Sequence, residues 1–145
     1  MSKKKKNKSK FDGHFAGVTH KQRESEAFKK LSIHAKWLYV EFRFKYNGQN
    51  DHNIIFTKEE AIKIMAYGTF RESKNKLIEV GLIDLIKRGG LEKQPAIYGL
   101  SDRWKKYGTK DFVKVDLKKI LPKIFKTGFK RGNKFGRQSK KREHL

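Results

Sequence analysis

Residues 56–82 constrain the fold of this chain more than any other stretch, because their pattern predicts two short helices joined by a tight turn. Thr57 is followed three residues later by Glu60, a spacing at which each side chain accepts a hydrogen bond from the other residue's backbone N–H at a helix start. Apolar residues then recur at helical spacing. The pattern therefore predicts a first helix over residues 58–65, with an apolar face made of Ala61, Ile62 and Met65.

A second helix is predicted over residues 69–80. Gly68 can adopt the left-handed backbone conformation that ends a helix, so the turn is expected at residues 66–68. Thr69 and Glu72 repeat the capping-box spacing. The inward face is expected to consist of Phe70, Ser73, Leu77 and Val80. Gly81 is predicted to end this helix, and a strand follows from residue 82.

The part of the chain before this stretch predicts one longer helix over residues 24–46. Its apolar side chains follow the i, i+3, i+4 rule of a helix with one buried face. Ser32 lies in the middle and is expected either to kink the helix or to cap a second helical piece. Residues 11–23 are expected to be an extended segment lying against the domain. The apolar side chains of the predicted helix are Phe28, Leu31, Ala35, Leu38, Tyr39, Phe42 and Tyr46.

Two strand-like runs follow the second helix of the central stretch, at residues 82–87 and 95–100. The turn between them contains Gly89 and Gly90, so the runs predict a β-hairpin, with residues 54–56 as a short third strand. Residues 101–108 predict one more helical turn, in which Trp104 and Tyr107 pack against the domain. A short helix interrupted near Pro122 is predicted over residues 114–125. The predicted fold class is α+β, mainly α.

The net charge of +22 is concentrated at the two ends of the chain. Residues 1–10 hold six lysines and no acid, and residues 113–145 hold 12 basic and 2 acidic residues. Residues 24–112 are only mildly basic. We therefore expect an N-terminal arm (1–23), a folded domain (24–112) and a C-terminal extension (113–145), with 1–10 and 126–145 disordered unless bound. Basic ends indicate a polyanionic partner, either DNA or RNA, although such ends can also merely increase solubility.

Several functional classes find no support in the sequence. The chain has no cysteine, so a disulfide framework and a thiolate metal site are excluded, and a reducing, cytoplasmic compartment is expected. No apolar run reaches the length of a membrane span. The histidines show no metal-ligand spacing, and Gly89-Gly90 lacks the Lys-Ser/Thr pair of a nucleotide-binding loop. We expect neither an enzyme nor a cofactor.

Two short helices about a turn, the second leading into a strand, follow the helix-turn-helix plan, and the hairpin has the position of a wing. The segments LSIHAKWLYVEFRFKYNGQND, IIFTKEEA, TFRESKNKLIEVGLI and IYGLSDRW are similar to small winged-helix proteins of bacterial genomes, prophages and mobile elements. That resemblance covers residues 24–112. It implies a winged helix-turn-helix fold with a long first helix, and presumed DNA binding with association with the nucleoid.

Under this interpretation the second helix of the motif enters the major groove with its outward side chains. Arg71 and Asn75 are predicted to contact bases, because arginine pairs with guanine and asparagine with adenine through two hydrogen bonds each. Glu72 is expected to cap the helix rather than to read bases. The full set of predicted DNA-binding residues is Thr69, Arg71, Lys74, Asn75 and Lys76 in the helix and Lys87, Arg88 and Lys93 in the 87–95 turn.

The sequence favours a sequence-specific duplex-DNA-binding protein that acts as a transcriptional regulator. A replication-initiator-type protein of a mobile element is an alternative within the same class. A non-specific DNA or RNA binder driven by the basic ends is another alternative, and a protein-docking winged helix is the alternative from a different class. No leucine-zipper heptad is present, so a homodimer would use the first helix or residues 115–125.

Overall fold

The structure is a computed structural model that describes residues 13–90 and 94–120. This part of the chain is a mixed α+β fold, mainly helical, with a small antiparallel sheet. In chain order its elements are α1 (His20–Glu24), α2 (Glu26–Lys29), α3 (Ile33–Lys45), β1 (Ile54–Ile55), α4 (Lys58–Ile62), α5 (Tyr67–Val80), β2 (Ile83–Lys87), β3 (Ile97–Leu100), the 3-10 helix η1 (Arg103–Lys106) and α6 (Leu117–Ile120).

The single helix predicted over residues 24–46 is wrong, because the chain breaks between α2 and α3. Ser32 causes the break: its Oγ accepts a hydrogen bond from the Ala35 N–H at 3.2 Å and caps α3, so the second of its two expected roles is confirmed. The extended segment predicted before residue 24 also needs correction. Thr19 and Gln22 form a capping box that starts α1, and the Gln22 amide donates to the Tyr39 hydroxyl at 3.0 Å.

The helix predicted at 58–65 exists but is shorter, ending at Ile62. Its capping box is confirmed: Thr57 Oγ1 accepts from the Glu60 N–H, and Glu60 Oε2 accepts from the Thr57 N–H. Lys45 Nζ, at the end of α3, also lies 2.8 Å from the Glu60 carboxylate. That hydrogen bond, and then the one from Thr57, lower the pKa of Glu60. One carboxylate therefore starts α4 and fastens it to α3.

The turn predicted at residues 66–68 is wrong by a few residues. The break lies at 63–66, and α5 begins at Tyr67, so Gly68 lies inside the helix and has no left-handed backbone. The Thr69–Glu72 capping box is consequently absent, and the residue before α5 is Ala66, which makes no side-chain cap. The predicted end is confirmed, because Gly81 caps α5 with φ of 85°.

Three strands form the sheet in the order β1-β3-β2, with both pairings antiparallel. The predicted hairpin and the predicted third strand are thus confirmed, although β3 starts at Ile97 rather than at 95. A β-bulge between Leu85 and Lys87 shifts the register near the hairpin end. The Gly90 N–H donates to the Gln94 carbonyl at 3.1 Å and closes the turn, whose residues 91–93 lie outside the described part.

The core lies between α3, α5 and the sheet and is centred on four aromatic side chains. The ring centroid of Phe42 lies 5.0 Å from that of Phe56 and 5.3 Å from that of Tyr98, and Phe56 lies 5.4 Å from Phe70. Edge-on and offset contacts at these distances stabilise aromatic clusters beyond their buried area. The cluster fixes α5 against both α3 and the hairpin.

Residues after the hairpin close the fold over the C-terminal end of α5. Trp104 in η1 is buried and Tyr107 packs against the core, as predicted. The Arg103 guanidinium donates to Asp84 Oδ1 at 2.6 and 2.8 Å and to the Ile78 carbonyl at 2.9 Å. It also donates to the Val113 carbonyl at 3.1 Å. Of the helix predicted at residues 114–125, residues 117–120 form α6, whereas residues 114–116 are not helical, so the predicted start is wrong by three residues. Residues 121–125 lie outside the described residues.

Candidate nucleic-acid interface

Helix α5 presents one face to the core and the opposite face to solvent. The four residues predicted to face inward, Phe70, Ser73, Leu77 and Val80, are all buried, and Ile78 is buried with them. Arg71 and Glu72 are exposed, whereas Thr69, Lys74, Asn75 and Lys76 are half-buried. The predicted DNA-binding residues of α5 are therefore brought onto one helix but not onto one face.

Arg71 is the most accessible of these side chains. It makes no ion pair with any residue in the ranges 13–90 and 94–120, so its guanidinium keeps all of its donors available to a ligand. Glu72 is exposed beside it and, because α5 begins at Tyr67, lies too far along the helix to cap its start. The expected capping role of Glu72 is thus wrong.

Asn75 has an unusual environment for a predicted base-contacting residue. Its Oδ1 is buried and has no hydrogen-bond partner within the described chain. A buried acceptor without a partner costs about 1–3 kcal/mol. Pairing with adenine requires both the Oδ1 and the Nδ2 of an asparagine. Asn75 must therefore rotate its amide outward to read a base, and leaving the present rotamer relieves an unpaired acceptor.

Thr69 and Lys76 lie on the side of α5 that faces the start of α3. Together with Glu72 and Ser73 they line a groove whose other wall is formed by Lys30, Ser32 and His34. Lys76 Nζ lies 3.2 Å from Glu79 Oε1, so part of its charge is matched within the helix. Such an exposed pair contributes about 0–1 kcal/mol and leaves the lysine free to exchange partners.

A cleft of about 210 Å³ separates α5 from the hairpin, and three cationic side chains line it: Lys58, Lys74 and Arg88. We call this the cationic cleft. Its walls include the rings of Phe56, Tyr67, Phe70 and Tyr98. The ammonium groups lie over rings, Lys58 Nζ at 4.8 Å from the Tyr67 centroid and Lys74 Nζ at 5.8 Å from the Phe70 centroid. A ring face attracts a cation at these distances by about 0.5–1 kcal/mol at an exposed site, and the ammonium N–H groups that point away from the ring stay available to a ligand.

Burial is the main cause of a lowered pKa at Lys74, and the nearby charge of Arg71 lowers it further. Burial also raises the pKa of Tyr98 to about 12. The cleft thus holds a desolvated ammonium with no carboxylate paired to it among residues 13–90 and 94–120. An anion bound there would relieve the repulsion between Lys74 and Arg71 and replace the lost hydration.

Lys58 is a site residue that the sequence analysis missed. It occupies the first turn of α4, where the positive end of the helix dipole disfavours a cation. That mismatch is the signal that could have marked it. Nothing in the sequence pattern places Lys58 beside Tyr67, because the turn between α4 and α5 brings them together.

The hairpin contributes Lys87 and Arg88, which are exposed at the end of β2. Gly89 follows, and the backbone across the turn lies close to it: an added Cβ would be 3.1 Å from the Gln94 carbonyl oxygen. The remaining predicted hairpin residue, Lys93, lies outside the described residues. Arg88 lines the cationic cleft, so the hairpin and α5 both contribute cationic side chains to it.

Comparison of the chain with protein-family models, with curated proteins and with solved structures finds no match. Among the helices that the structure describes, none combines the length and apolar character needed to cross a membrane. In the same residues, no group of three or more His, Asp or Glu side chains is placed to hold a metal ion.

Proposed function

We propose that this chain is a winged helix-turn-helix protein that binds duplex DNA in a sequence-dependent way, as a transcriptional regulator. In this proposal α4 and α5 are the two motif helices, α5 lies in the major groove, and the β2–β3 hairpin is the wing. The observation that carries the proposal is the cationic cleft, because its cationic side chains come from α4, α5 and the hairpin end, the three elements that a winged helix places against DNA.

Arg71 is the residue proposed to read a base. It is exposed, unpaired within the described chain and placed one turn before Asn75 on α5. A bidentate contact from arginine to guanine contributes about 1–3 kcal/mol of discrimination. Lys58, Lys74 and Arg88 serve the backbone instead, since ammonium and guanidinium groups at a groove edge contact phosphates and set the register of the helix.

A selection from a random duplex-DNA library with the full-length chain, at near-physiological salt, tests the proposal. An enriched motif is the expected result. Binding without enrichment, disappearing as salt rises, would instead assign the chain to non-specific nucleic-acid binders. The six lysines of residues 1–10 are the observation that favours this second function.

Arg71→Ala then tests the assigned reader. The variant should lose about 1–3 kcal/mol of binding at the selected site and accept other bases at one position. The matched control is Arg23→Ala, which removes the same charge from an exposed position on α1. An Arg71→Ala variant with the same base preference as the Arg23→Ala control would remove Arg71 from the readers.

A further inference from the structure

Helix α3 is apolar on two opposite faces. Its core face consists of Ala35, Leu38, Tyr39 and Phe42, all buried. The opposite face carries Ile33, Trp37 and Phe44, whose exposed fractions are 81%, 50% and 49%, together with half-buried Val40. At 100° per residue these four side chains fall in one narrow stripe directly across the helix from the core. We call them the α3 stripe.

A contiguous stripe of exposed apolar side chains is typical of an interaction site. Residues in the ranges 13–90 and 94–120 leave the α3 stripe open. Its members are spaced by four, three and four residues, which is the spacing of the seam between two coiled helices. We propose that the α3 stripe binds the α3 stripe of a second copy of this chain, with the two helices side by side and parallel about a two-fold axis.

The charges that flank the stripe favour a second copy and fix its direction. Lys36 lies on one side of the seam and Glu41 on the other, five residues further along. In a parallel pair, a residue in the position of Lys36 faces the residue five places further along the other helix. Lys36 of each copy thus faces Glu41 of the other, and the two-fold axis makes this ion pair twice.

An antiparallel pair would use the same apolar seam with the wrong charges. In that arrangement each side of the stripe faces the same side of the stripe in the other copy, so Lys36 of one copy lies against Arg43 of the other. Neither Lys36 nor Glu41 makes an ion pair within the described part of the chain, although Lys36 Nζ lies 5.3 Å from the Phe28 ring centroid. Both charges are therefore available across a parallel interface.

Analytical ultracentrifugation of the full chain, free of nucleic acid and over a range of concentrations, tests the proposal. The wild type should show a reversible monomer–dimer equilibrium. Lys36→Glu and Glu41→Lys should each weaken the dimer by about tenfold, because each turns two attractive pairs into repulsive ones. The double variant Lys36→Glu/Glu41→Lys restores opposite charges and should recover the wild-type dissociation constant.

Trp37→Glu supplies a stronger perturbation, because it places two carboxylates in the centre of the seam. It should weaken the dimer on the order of 100-fold while the circular dichroism spectrum stays unchanged, since Trp37 lies off the core. Val113→Glu is the matched control: it places the same charge at another exposed apolar residue, away from the stripe, and should leave the dimer intact.

Three results would overturn the proposal. A wild type that stays monomeric at all concentrations would leave the stripe to a partner of another kind. A Lys36→Glu variant that dimerises more tightly than wild type would indicate the antiparallel arrangement. A dimer indifferent to Trp37→Glu would place the interface elsewhere. The measurement contains no DNA, so none of these results bears on the proposed DNA binding.

Discussion

Replacing Gly81 by alanine should destabilise the fold more than replacing a glycine that has the same left-handed backbone but open surroundings. Gly81 has φ of 85°, a left-handed conformation in which an L-residue costs about 1–2 kcal/mol. An added Cβ would also lie 2.7 Å from the Arg103 Cβ and 2.9 Å from the Trp104 backbone nitrogen. Relief of that overlap must move η1 or α5, and overpacking of this kind costs about 1–3 kcal/mol.

Gly48 provides the matched control, because its φ is 95° and an added Cβ would have no atom within 4 Å. Because alanine restricts the unfolded chain equally at both positions, each substitution also adds about 0.4–1 kcal/mol to the free energy of unfolding. The expected loss in the free energy of unfolding is therefore about 2–4 kcal/mol for Gly81→Ala and about 1 kcal/mol for Gly48→Ala. Urea unfolding followed by circular dichroism measures both. Equal losses at the two positions would refute the role assigned to the close approach of η1.

Two further predictions concern the binding surface. Lys74→Met should weaken binding to duplex DNA and lower the slope of log affinity against log salt by about 0.9, yet raise the free energy of unfolding at neutral pH, because the fold holds a desolvated ammonium there. Between the lowered pKa of Lys74 in the folded chain and its ordinary value of 10.5, only the unfolded chain keeps the proton, so the free energy of unfolding of the wild type should increase as pH rises through that range. Urea unfolding of Lys74→Met should show no such increase. A variant no more stable than the wild type at neutral pH would contradict the desolvation of Lys74. Removing residues 1–10 and 126–145 should weaken binding to all duplex sequences alike and flatten the salt dependence, and an unchanged slope would mean that these segments do not contact phosphates.

The sequence predicted the elements whose signals are local. The Thr57–Glu60 capping box, the Gly81 helix end and the β2–β3 hairpin each depend on residues within a few positions of one another, and each was found. The sequence was less informative about the start of α5. Gly68 and Thr69 carry good stop and start signals, but α5 begins two residues earlier, at Tyr67, whose ring stacks on that of Phe70.

The surface proposed to bind DNA could be anticipated only in part, for a similar reason. The face of Arg71 follows from helical spacing, whereas the burial of Lys74 depends on a hairpin that lies more than ten residues further along the chain. The open stripe on α3 was present in the sequence at Ile33, Trp37, Val40 and Phe44. It was not predicted, because the core face alone satisfies the pattern of a helix with one buried face.

The contacts of Arg103 have a mechanical consequence. One guanidinium donates to the Ile78 carbonyl in the last turn of α5, to the Asp84 carboxylate of β2 and to the Val113 carbonyl. Once Val115 and Leu117 have been pulled off the core, a pull on the chain beyond Val113 is borne by Arg103, which transmits it to the C-terminal end of α5. We expect tension applied there to unfasten α5 at its C-terminal end before it separates the strands.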